Sequence, residues 1–272
     1  MKKIKLLGVV VIFGIISMIF TGCGEERKAA IAAYNSESSR IQAEQALLEK
    51  TIADSQALID SKEKPYNNST IPALETAVTN AKASIVEIPK KEGNAEEINA
   101  LVNDRLKKIS YIKANETLLD VKTELEDSIK IMKQVTNPSE AFVINRIKDI
   151  DTITGYAAVT EENDPNENLN KPSGYTAAIF FASSQIKDKD KRWLDGTIIE
   201  NGTAGGGCIE VYATEDDAIK RRDYLAIFDG TRTASGTHTV VGTVLVRTSN
   251  CLTASQQKTL KKEIIDNLTQ LR

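Results

Sequence analysis

The sequence predicts an α+β chain, with an elongated antiparallel helical bundle first and a small α+β sandwich domain after it. Three observations predict this. Aromatic and glycine residues are scarce before Val135 and frequent after it. Apolar residues step by three and four through the first half. In the second half, short β-branched and aromatic runs alternate with helical ones. Between Gly24 and Val135 stand three aromatics (Tyr34, Tyr66, Tyr111) and two glycines, whereas Thr136–Arg272 holds nine aromatics and ten glycines. Asn137-Pro138 supplies the break, because a residue before proline avoids the helical region. Domains are therefore expected over 24–135 and 138–272.

In the first region Ile31, Tyr34, Ile41, Leu48, Ile52 and Ile59 fall on one helical seam, interrupted by Ser38, Gln45 and Ser55. The interruptions make it weak as a dedicated dimeric coiled coil. Lys64-Pro65-Tyr66-Asn67-Asn68 closes that helix. Ser69 or Thr70 caps the next, with Pro72 in its first turn. Ile71, Leu74, Val78, Ala81, Ile85 and Ile88 then step in helical register until Pro89 stops the run. A shorter helix starts at Asn94 and reaches about Ile109, and a long one covers Asn115–Lys133. Short connections favour antiparallel neighbours.

The second region predicts a helix over Ala141–Ile150 and strands at Tyr175–Ala182, Cys208–Ala213 and Thr239–Thr248. Helices follow over Glu215–Phe228, capped by Thr214, and Thr253–Leu271. That order makes a short sheet with helices on one face.

The N-terminus reads as an export signal. Met1-Lys-Lys-Ile-Lys5 is basic and Leu6–Phe20 is apolar, too short for a membrane span that needs about 20 residues. Phe20-Thr21-Gly22-Cys23 resembles a bacterial lipobox, which implies that residues 1–22 are removed and that Cys23 carries a diacylglycerol anchor. Acyl chains contribute ~0.8 kcal/mol per buried CH₂, so two or more hold a protein stably on a membrane. The expected location is the extracytoplasmic face of the cell membrane.

Charge and composition exclude several classes. Losing Lys2, Lys3 and Lys5 with the leader leaves 32 Lys+Arg against 38 Asp+Glu, an excess of acid that argues against a nucleic-acid partner. One histidine and three cysteines argue against multi-ligand zinc sites, and no cofactor is implied.

Gln134-Val-Thr-Asn-Pro-Ser-Glu140, Gly174-Tyr-Thr-Ala-Ala178, Gly206-Gly-Cys-Ile-Glu-Val-Tyr212 and Ser235-Gly-Thr-His-Thr-Val-Val-Gly-Thr-Val-Leu-Val-Arg247 resemble a family of Gram-positive surface lipoproteins labelled EbhA-like. Thr70–Lys82 is similar to the helical FIVAR/GA-type modules of giant matrix-binding proteins. The resemblance implies an exported, anchored protein and brings no catalytic residue with it.

Few residues suggest chemistry. Outside the cytoplasm Cys208 and Cys251 could pair if their strands are neighbours, or remain separate thiols. Gly205-Gly206-Gly207 precedes a strand, whereas a phosphate loop follows one, so a tight turn is expected. Asp164, Asn166 and Asn168 match the first positions of a calcium loop. Leu169 and Tyr175 then stand where glycine and glutamate are needed, so a solvated loop is expected. His238, with Ser235, Asp229 and Arg232 near it in sequence, forms a loop suited to binding rather than a nucleophile elbow. Trp193 either anchors a glycan or protein partner or packs over the sheet edge.

The expected function is therefore non-enzymatic: a surface binding or interaction protein presenting its C-terminal domain to a cell-wall polymer, host matrix or another surface protein. The alternatives are a small-ligand-binding lipoprotein and, last, a hydrolase.

Overall fold

The computed structural model describes residues 23–231 and 234–272, so the expected leader and Arg232 lie outside the described residues. The chain is α+β. Helix α1 (Cys23–Asp60) is followed by α2 (Thr70–Ser84), α3 (Ala95–Asp104), a 3-10 turn (Leu106–Lys108), α4 (Ile112–Gln134) and α5 (Glu140–Ile147). Then come β1 (Ile153–Ala158), β2 (Tyr175–Ser183), α6 (Asp188–Lys191), a second 3-10 turn (Gly202–Gly205) and β3 (Gly206–Tyr212). Helix α7 (Glu215–Ala226), β4 (Thr237–Val241), β5 (Val244–Thr248) and α8 (Ala254–Thr269) complete the chain. Among the described residues no helix is long and apolar enough to cross a membrane.

Packing divides the chain into two compact units: residues up to Lys50 with Ala81–Asn115, and Thr51–Asn80 with Glu116–Arg272. The first unit buries Ile41, Leu48, Ile98, Val102, Leu106 and Tyr111. Helix α2 ends at Ser84, before the Pro89 stop, because Tyr111 takes the chain out of the helix. Its hydroxyl accepts the Val86 N–H at 3.1 Å and faces the Val86 carbonyl at 3.3 Å. Helix α3 starts on a capping box, the Asn94 side chain accepting from Glu97 N–H and Glu97 accepting from Asn94 N–H. Beyond α3 the Leu106 carbonyl already accepts the Ile109 N–H at 3.0 Å. Arg40 of α1 adds a second bond there, donating to Leu106 O at 3.2 Å, and also donates to Ile109 O at 2.9 Å. Glu44 accepts from Arg40, Ser110 Oγ and the Tyr111 N–H. Burial works against the charge on Glu44, but those bonds outweigh it and hold the carboxyl below its ordinary range.

In the second unit Leu74, Val78, Leu118, Leu125 and Ile129 are buried. The turn after α1 is fastened to α4, with Tyr66 N–H on Ser128 O (3.0 Å) and Asn67 N–H on Ser128 Oγ (2.8 Å). The end of α4 is tied to the β4–β5 hairpin: Thr243 N–H donates to Val135 O at 3.0 Å and Asn137 N–H to Thr243 Oγ1 at 2.6 Å. Gln134 Nε2 donates to Leu268 O at 2.6 Å.

The sheet is antiparallel, in the order β1-β2-β3-β5-β4. Helices cover both faces, not the one expected. On one face Ile179, Phe181, Ile209, Val211, Val244 and Val246 pack with Val143 and Ile147 of α5 and Leu260, Ile264 and Leu268 of α8. On the other, Ala178, Phe180, Cys208, Tyr212 and Leu245 pack with Ala218 and Leu225 of α7. A bulge between Tyr175 and Ala177 turns Tyr175 onto this second face. Each fully buried large apolar side chain contributes roughly 1.5–3 kcal/mol.

The single strand expected over Thr239–Thr248 is a hairpin. Gly242 supplies the turn at φ 59, and a Cβ there would lie 2.4 Å from Val135 O. The glycine run has a packing reason. A Cβ on Gly206 would stand 2.5 Å from Phe181 O, and one on Gly207 2.3 Å from Arg247 O, so these residues let β3 start between β2 and β5.

Candidate functional site

The densest polar arrangement lies under α7, on a sheet face that strand alternation alone would leave to water. Glu210 points from the middle of β3 and is fully buried. Arg247 of β5 donates to its Oε1 at 2.6 Å, Arg221 of α7 approaches its Oε2 at 3.3 Å, and the Tyr212 hydroxyl donates to Oε2 at 2.7 Å. Burial raises the cost of the Glu210 charge, yet Arg247 and Arg221 prevail and keep the carboxyl below its ordinary value. Burial, reinforced by the Glu210 charge, pushes the Tyr212 hydroxyl upward. It pushes the Cys208 thiol upward as well. The centre sets one carboxylate against two guanidinium groups, and Arg247 Nε is buried with no hydrogen-bond partner.

From Arg221 the polar chain continues outward. Its Nη2 reaches Asn166 Oδ1 at 3.5 Å, Asn166 Nδ2 reaches the Tyr175 hydroxyl at 3.4 Å, and that hydroxyl donates to Asp164. Asp164 also accepts the N–H groups of Asn166, Asn168 and Leu169. This answers the calcium-loop pattern: the carboxylate is consumed in holding its own loop. Burial disfavours the Asp164 charge, but the Tyr175 bond and those N–H groups hold it below the ordinary range. Among the described residues no His, Cys, Asp and Glu side chains cluster as metal ligands.

Asp229 and His238 come together at the β4 edge. His238 Nε2 lies 3.4 Å from Asp229 Oδ2, with the imidazole 9% exposed and the carboxylate 53% exposed. The His238 Nδ1 is buried and unpartnered. Both residues line an open depression of about 480 Å³. Ser235 is half-buried and makes no hydrogen bond to His238 among the described residues. Trp193 does not line this depression. It stands on the β2–β3 connection, 77% exposed, with the Arg192 guanidinium 5.8 Å from its ring centroid.

Of the two arrangements open to Cys208 and Cys251, the structure has separate thiols: both are free. The reason is the doubly covered sheet: Cys208 packs in the core under α7, whereas Cys251 packs against the core under α5 and α8. Cys23 is the first residue of α1.

The residues that sequence reasoning missed are Glu210, Arg221 and Tyr175. A signal existed in β3, where Cys208, Ile209, Val211 and Tyr212 are apolar on both faces. That is the pattern of a strand buried on both sides, in which a single glutamate requires a cationic partner.

Together these features define an α+β protein with a five-stranded antiparallel sheet covered on both faces, a buried Arg–Glu–Arg centre and two separate surface features. No family model, curated protein or solved structure matches the chain.

Proposed function

We propose that this chain is a lipid-anchored surface protein. Cys23 holds it on the extracytoplasmic face of the membrane, and the C-terminal α+β domain binds a cell-wall polymer, a matrix component or another surface protein. The observation that carries the binding reading is Trp193. Its connection is fixed at both flanks, Ile186 in one core and Ile199 in the other, while the indole between them is 77% exposed. An exposed tryptophan forgoes the several kcal/mol that burying a large aromatic provides. Tryptophan also dominates the contacts that carry binding energy at protein interfaces. The basic start, apolar run and Gly22-Cys23 motif, with the resemblance to EbhA-like lipoproteins, support the anchor.

The soluble chain Glu25–Arg272 should bind purified walls, matrix proteins or surface extracts saturably, and Trp193→Ala should weaken that binding at least tenfold, about 1.4 kcal/mol. Binding indifferent to Trp193→Ala, or no saturable binding at all, refutes the reading. For the anchor, Cys23→Ala should abolish incorporation of labelled fatty acid and release the protein into the medium.

A further inference from the structure

Strand β4 ends the sheet order and pairs with β5 alone. The two-residue turn after Val241 makes Val241–Val244 a hydrogen-bonded pair, so by alternation His238 and Val240 direct their N–H and C=O groups away from β5. No other described backbone group bonds to those edges. The 480 Å³ depression runs along this edge: Thr237, His238 and Thr239 contribute from the strand, Asp229 from the α7 side, and Gln257 and Lys261 from α8. Because its lining comes from both sides of the sheet, its floor is the strand edge itself.

The two flanks differ in chemistry. Helix α7 packs beside β4, and Tyr224 in its last turn and Ile227 just after it, shortly before Asp229, are 53% and 71% exposed. On α8, Lys258 and Lys261 share one face. Neither is in an ion pair among the described residues, whereas the neighbouring Lys262 pairs with Asp266. An open edge is a template for another strand, and proteins that do not use such an edge normally blunt it.

We propose that the β4 edge docks an extended segment of a partner protein as a sixth strand, the segment alternating apolar and acidic residues. Side chains alternate across a strand, so the apolar set meets Tyr224 and Ile227 while the acidic set meets Lys258 and Lys261. The surface is separate from Trp193, and either reading can fail without the other.

The test uses the chain Glu25–Arg272 and two synthetic octapeptides, one alternating Val and Glu and one alternating Val and Lys. The Val/Glu peptide should bind saturably and at least tenfold more tightly than Val/Lys. It should slow exchange of the His238 and Val240 amides at least tenfold. Val240→Pro removes one outward N–H at an edge position that tolerates proline, and should weaken binding at least tenfold. If that variant does not fold, Lys258→Glu with Lys261→Glu decides, and should invert the preference between the peptides. Trp193→Ala should leave peptide binding unchanged. The proposal is overturned if the folded chain does not bind Val/Glu saturably. It is equally overturned if binding leaves the His238 and Val240 amides exchanging freely, or if the lysine substitutions do not alter the preference.

Discussion

Replacing Glu210 with glutamine would strand two guanidinium groups beneath α7. In the native arrangement Glu210 is 1% exposed, Arg247 8% and Arg221 17%, so solvent screens little of the change. Removing one partner from a buried ion pair costs about 3–5 kcal/mol, because the remaining charge is desolvated without compensation. Arg221 is the more exposed arginine and keeps its contact to Asn166, which places Glu210→Gln at about 3 kcal/mol. For domains of 150–250 residues each kcal/mol lowers Tm by about 2–4 °C, so thermal unfolding at pH 7 should show a drop of about 6–12 °C. Replacing Glu210, Arg221 and Arg247 together by Met, Met and Leu should return stability to within about 1 kcal/mol of the native chain, since apolar substitutes for a whole buried charge cluster are commonly neutral or better. The pH dependence carries a sign. The carboxyl of Glu210 is held below its ordinary value in the folded chain, so its stabilisation is present above the unfolded carboxylate value and lost as pH falls through the folded one. The gap between native and Glu210→Gln chains should therefore narrow in acid. A Tm loss under 2 °C, or a triple variant as unstable as the single one, would refute the reasoning.

Two further outcomes follow from local geometry. Gly242→Ala forces a side chain onto a left-handed residue and into Val135 O at 2.4 Å; it should cost at least about 2 kcal/mol, seen as a lower midpoint in urea unfolding. In Glu25–Arg272 a thiol reagent should modify Cys251 promptly and Cys208 only on unfolding, since Cys208 is fully buried and its thiol is pushed upward. Non-reducing digestion that yields a Cys208–Cys251 peptide would contradict the two-sided sheet.

The fold class was legible because its signals are local. Helical stepping in Ile71–Ile88 and strand composition in Tyr175–Ala182 need no distant partner to read. What escaped depends on partners far along the chain. Strand β1, Ile153-Thr-Gly-Tyr-Ala-Ala158, has little β character of its own and is defined by pairing with β2. The hairpin at Gly242 sits inside a run rich in β-branched residues, and its turn lacks an Asn-Gly or Asp-Gly signal. The end of α2 is set by Tyr111, 25 residues beyond Val86. The Arg–Glu–Arg centre joins residues from three separate elements, and only the two-sided apolar character of β3 hints at it. Of the surface features, Asp229 and His238 do meet, as their shared loop suggested, while Trp193 was readable as a residue but not in its exposure.

The seam between α4 and the hairpin has a mechanical consequence. The α4 helix hands over to the sheet at Val135 with no slack: Thr243 grips both Val135 and Asn137 through short bonds, and Gln134 holds the end of α8. Twisting the sheet about the α4 axis would have to break these bonds together. Within this unit the junction behaves as a weld, not a swivel. A ligand captured at the sheet edge therefore meets a receptor whose orientation on α4 is already set, and the complex gives up less rotational freedom than one formed by a domain on a loose leash.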